Sequence, residues 1–139
     1  VLAALKPGGK MVLHEYYDWT THQIEPQLEH LTYAIKRCYN SFKEQEGDID
    51  IGRHLPKMLE DIGMKITATR PMAKMARPSN ATWLWPKSFY NIYFPKLVKL
   101  GYLSQKECDL ALKDHQTLED DSSSTLVCPL LIEVIAEKI

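Results

Sequence analysis

The chain of 139 residues has few cysteines, few glycines and no long apolar run. Its three cysteines, Cys38, Cys108 and Cys128, are far apart, odd in number and set among apolar residues. No C-x-x-C pair exists, so a structural zinc site is not expected. The pattern fits free, buried thiols in a reducing compartment, and the expected location is cytoplasmic. The six glycines, at positions 8, 9, 47, 52, 63 and 101, form no G-x-G cluster after a strand. No stretch approaches the roughly 18 apolar residues that span a bilayer. A formal net charge of −1 and a pI near 6.6 give no pull toward nucleic acid or an anionic membrane. Neither is therefore expected as a partner.

Apolar residues make up 45% of the chain and charged residues 25%, as in globular proteins. The length suits one domain with one core. Val1-Leu2-Ala3-Ala4-Leu5 reads as the last turn of a helix, ended by Pro7 and Gly8, and no Met opens the chain. The expectation is one partial domain over 1–139, the C-terminal part of a larger α/β protein.

Lys10 to Tyr17 reads as a strand, with the nearly continuous apolar run Met11-Val12-Leu13. Ile24, Leu28, Leu31, Ile35, Cys38 and Phe42 recur in steps of four and three, which predicts a helix over 22–45. A shorter helix is expected over 53–62. Leu55, Met58, Leu59 and Ile62 form its face, Pro56 sits in its first turn and Gly63 closes it. Residues 64–73 alternate as a second strand. A helix over 87–100 carries Phe89, Ile92, Tyr93, Leu97 and Leu100, and Pro95 predicts a kink or break in it. Ser104-Gln105-Lys106-Glu107 is a capping box that opens a helix to about Leu118. The apolar run Thr125–Glu137 is the last strand, with Pro129 near its start or at a bulge.

Three phrases resemble class I S-adenosylmethionine-dependent methyltransferases. "LKPGGKMVLHEYYD" is similar to the turn and fifth strand of that family. "GRHLPKMLEDIGMKITATRPM" is similar to its next helix and sixth strand, and "STLVCPLLIEVIAEKI" to its closing strand. The resemblance covers essentially the whole chain. It implies the C-terminal half of a Rossmann-like sheet with inserted helices, in which the last strand is antiparallel and central. That places 126–136 between 10–17 and 64–72. It also implies the acceptor-binding part of a methyltransferase for a small, lipophilic molecule. S-adenosylmethionine would be held by residues upstream of Val1, so the chain alone would be inactive. The segments 20–50 and 74–124 would be helical insertions that form an acceptor lid. The strand at 10–17 would keep one free edge, open to a homodimer contact.

In open α/β sheets ligands sit beyond the carboxyl ends of the strands. That directs attention to His14 and Glu15 as candidate bases, and to Tyr16, Tyr17 and Trp19 as pocket lining. Trp83, Trp85, Phe89, Tyr90 and Tyr93 form the densest aromatic cluster. Trp83, Trp85 and Tyr93 are the candidate acceptor contacts within it. Arg53 and Arg77 are read as solvated. His22, His30, His54 and His115 lack metal-ligand spacing and are expected as surface or capping residues. His14-Glu15-Tyr16-Tyr17-Asp18 falls short of H-E-x-x-H and lies on a strand, so no metal is expected. The alternative is a non-catalytic helical module for interaction or oligomerisation.

Overall fold

The computed structural model describes residues 2–45 and 47–139. Val1, the first residue of the turn expected at 1–5, lies outside them, and Leu2–Ala4 is a 3-10 turn. The chain divides into two compact units. One comprises Val1–Trp19, Asp50–Ala73 and Pro129–Ile139, and the other Thr20–Ile49 and Lys74–Cys128. The segments expected as insertions, 20–50 and 74–124, fall almost entirely in the second unit.

The first unit is a three-stranded sheet with one short helix. Its elements are β1 (Lys10–Asp18), α2 (Leu55–Asp61), β3 (Met64–Met72) and β6 (Leu130–Lys138). The strand order is β1-β6-β3, and β6 runs antiparallel to both neighbours. The last strand is thus central and antiparallel, as expected, while β1 and β3 point the same way. Leu55 and Leu59 of α2 pack on Met64, Val134 and Ala136, with Met11, Leu13 and Ile66 around them. Met58 and Ile62, expected on the same buried face, are about half exposed. The helix is only seven residues long and buries a narrow stripe. Gly63 ends it at φ +83°, a conformation that costs glycine no Cβ clash.

The second unit joins a three-helix cluster to a small antiparallel sheet. Its elements are β2 (Gln23–Glu25), α1 (Glu29–Glu44), β4 (Met75–Ala76), α3 (Leu84–Lys99), α4 (Gln105–Asp120) and β5 (Thr125–Val127). The sheet order is β2-β5-β4. The helix expected over 22–45 begins only at Glu29. Pro26 steers Glu25 into extended backbone and cannot donate within a helix, so Ile24 joins a strand instead. The first turn of α1 is capped from α4, where the Asp114 carboxylate accepts the His30 and Leu31 amides at 2.9 and 3.1 Å. The expected capping box is present, with the Glu107 amide donating to Ser104 Oγ at 3.2 Å and the Ser104 amide to Glu107 at 2.6 Å. Helix α3 starts three residues before the expected point and runs unbroken through Pro95.

The run read as one last strand is two. Pro129 separates β5 from β6, and the two pieces belong to different sheets. Apolar content alone could not reveal this, because both pieces have it. The three cysteines are free and buried. No helix among the described residues is long and apolar enough to cross a membrane.

Candidate functional site

The carboxyl ends of β1 and β3 meet the amino end of β6, because β6 runs against both. Three cross-strand neighbours there form a polar row, His14↔Glu133 on one side and Arg70↔Glu133 on the other. Glu133 accepts from His14 Nε2 at 3.0 Å through one carboxylate oxygen and from Arg70 Nη1 at 2.7 Å through the other. The hydrogen bond from His14, supported by Arg70, holds the Glu133 carboxyl below its ordinary range and keeps it ionised. In the neutral ring, Nε2–H committed to the carboxylate leaves the lone pair on Nδ1. No other described residue bonds that nitrogen. The His14 side chain is about half exposed.

Beside this row lies an open depression of about 210 Å³. Tyr17, Pro71, Leu130, Leu131 and Ile132 supply its apolar wall, and Thr69 and Arg70 its polar groups. Tyr17 sits where the β1–β6 register shifts, at an irregularity of the kind that re-aims a side chain. Arg53 is tied to the same corner. Its Nε donates to the Tyr17 carbonyl at 2.6 Å, its Nη2 pairs with Asp18 at 3.0 Å, and its guanidinium lies 5.3 Å from the Tyr17 ring centre. The segment carrying Arg53 comes this close because residue 52 is glycine. A Cβ there would lie 2.5 Å from the Tyr16 carbonyl oxygen and 2.8 Å from Ile132 Cγ2. The Trp19 amide donates to Asp50 at 2.7 Å and holds the start of the same segment.

Glu15, the second candidate base, is half-buried on the strand, and nothing joins it to the His14–Glu133–Arg70 row. Tyr16 meets Trp19 edge-on at 5.2 Å, and Trp19 is buried. The partners of His14 were not legible in the sequence. Glu133 and Arg70 lie 119 and 63 residues from the groups they bind, and only strand register brings them together.

In the helical unit the aromatic cluster is a stacked core. Trp85, Phe89 and Tyr93 stack along α3 at 6.2 and 5.1 Å, and Phe42 of α1 continues the column at 5.4 Å. Trp83 is 1% exposed and stacks on His115, whereas Trp85 keeps 37% of its surface open. Tyr93 is buried, with its hydroxyl 3.1 Å from Ser41 Oγ.

Two histidines expected at the surface are buried here. His22 Nδ1–H donates to the Val127 carbonyl at 2.7 Å, and Nε2 accepts the Tyr90 hydroxyl at 2.5 Å. Desolvation lowers the His22 pKa to about 4, so the ring is neutral. Burial likewise lowers His115 and raises Tyr90. The signal missed was that a lone histidine beside an apolar strand is also what a satisfied core histidine looks like. Arg77 is exposed, as read, and donates to the Ser122 carbonyl at 2.8 Å.

Among the described residues no group of three or more His, Cys, Asp or Glu could hold a metal. Nor do their glycines form a nucleotide cradle. The space beside Gly52 is filled by Tyr16 and Ile132, and Gly8, Gly63 and Gly101 occupy turns at positive φ. No known family model matches the chain, and no curated protein sequence matches it.

Proposed function

We propose that this chain is the acceptor-binding, C-terminal part of a cytoplasmic S-adenosylmethionine-dependent methyltransferase with a Rossmann-like sheet, acting on a small, lipophilic molecule. The observation that carries this reading is the strand order β1-β6-β3 with a central antiparallel closing strand. The sequence phrases that resemble the family fall on those same three strands. The described residues do not fit the cofactor, whose site the reading assigns to a part of the protein upstream of Val1. The chain alone is then inactive. The second, helical unit is the acceptor lid in this reading, with Trp85 its exposed aromatic contact. The outer edge of β1 pairs with no strand among the described residues and offers a homodimer contact.

The work assigned to these residues is positioning and proton removal. The depression holds the acceptor's apolar body. The His14 Nδ1 lone pair takes the proton from an acceptor hydroxyl or amine, and Glu133 steadies the imidazolium that results. Glu133 and Arg70 are positioning residues. The test is methyl transfer by the parent protein carrying His14→Gln. A loss of about 100-fold in kcat, with KM nearly unchanged, supports the base role. Unchanged kcat rejects it.

A second reading draws on α3, where Leu84, Trp85 and Ile92 are 61%, 37% and 72% exposed. Such apolar surface suits a non-catalytic interaction or oligomerisation module. Light scattering on the chain separates the outcomes. A dimer lost on Ile92→Glu favours the module, and a monomer disfavours it.

A further inference from the structure

We infer that the depression at the carboxyl ends of β1 and β3 binds a small organic carboxylate with an apolar body, the carboxylate resting on Arg70. The inference rests on the acceptor reading above and narrows its substrate class to an acid.

The wall is apolar on most sides, with Leu130, Ile132, Pro71 and Tyr17 facing the space. Such a lining selects a hydrocarbon or aryl body by burying it. The polar groups at the rim are few and of one kind. Arg70 gives one N–H to Glu133 at 2.7 Å and bonds no other described residue, so the rest of its planar donor set remains available. That donor set matches the two oxygens of a carboxylate.

Glu133 does two things to this site. It fixes the Arg70 side chain across the strand, which lowers the entropy lost on binding. It also offsets part of the guanidinium charge, so a dianion such as a phosphate is poorly matched and a monoanion is better matched. Arg53 does not compete for the ligand, because Asp18 and the Tyr17 carbonyl already occupy it.

The probes are phenylacetate and its neutral counterpart phenylacetamide, titrated into the 139-residue chain and followed by amide NMR. Phenylacetate is expected to shift the amides of Thr69, Arg70 and Leu130 to Ile132. Phenylacetamide should bind roughly tenfold or more weakly, the usual effect of losing a charge-assisted hydrogen bond. Arg70→Gln should erase the difference between the two, and the remaining amide resonances report whether the fold is intact. The comparison of the two probes on the unaltered chain needs no variant. Equal binding of both probes, no shifts at those amides, or an undiminished preference in a folded Arg70→Gln protein would each overturn the inference. A clear preference for the acid, with no methyl transfer by the parent protein to any acceptor, would leave this site standing and remove the methyltransferase reading. Methyl transfer without any preference for acids would do the reverse.

Discussion

The two units differ most in how they hold His14 on one side and His22 and His115 on the other. In the sheet unit Glu133 pairs with Arg70 and Asp18 with Arg53, and His14 donates to Glu133, all partly open to solvent. In the helical unit His22, Tyr90, His115 and Ser41 are buried, and burial drives His22 and His115 toward the neutral form. Groups that must gain or lose protons during a reaction need access and a stabilised charge, and the sheet unit supplies both. A neutral buried polar group instead fixes one packing arrangement, because leaving it unpaired is costly. The proposed chemistry therefore falls on the sheet unit, and the buried polar groups of the helical unit serve packing.

The largest test of that contrast is in the two cores. Phe94 is fully buried and stacks on Tyr90 at 4.9 Å, so Phe94→Ala should cost about 4 kcal/mol in denaturant unfolding. Leu59→Ala in the sheet unit should cost less, about 3 kcal/mol. The reverse order would weaken the view that the buried aromatic side chains of the helical unit serve packing.

His22 gives the next largest effect, and it depends on pH. Its pKa falls from 6.5 in the unfolded chain to about 4 in the fold, so the unfolded chain binds the proton first as pH drops. The stabilisation is full above pH 6.5 and is lost as pH falls toward 4, by roughly 3 kcal/mol. Unfolding free energies measured between pH 7 and 4 should show this decline, and His22→Gln should flatten it.

Gly52→Ala should cost about 2 kcal/mol, because the added methyl meets the Tyr16 carbonyl at 2.5 Å. It should also weaken the Arg53–Asp18 pair, which amide and side-chain NMR would register. The smallest stability effect belongs to the polar row. Arg70→Gln should change stability by less than about 1 kcal/mol, since Arg70 is 64% exposed. A larger loss would mean that the row is structural.

The sequence was most legible where one local rule decides. A nearly continuous apolar run after a Pro-Gly turn marked β1, alternation marked β3, and Ser104 with Glu107 marked the start of α4. It was less legible where two rules compete. The apolar steps at 24 and 28 fit a helix, but Pro26 lies between them and the proline prevails. The run 125–137 is apolar throughout, yet Pro129 divides it between two sheets. Within the candidate site, His14 and the aromatics of β1 stood out by type and position. Glu133 and Arg70 did not, because register between distant strands has no local signal. His22 and His115 were misplaced for a related reason, since their partners Val127, Tyr90 and Trp83 come from other elements.

The most direct measurement is calorimetric titration of S-adenosylmethionine and S-adenosylhomocysteine into two proteins. One is this chain, and the other is the chain extended upstream by about a hundred residues, the length a nucleotide-binding half of such a sheet needs. Binding to the longer protein and none to the shorter is the expected result. Binding to neither would contradict the methyltransferase assignment and favour an interaction module.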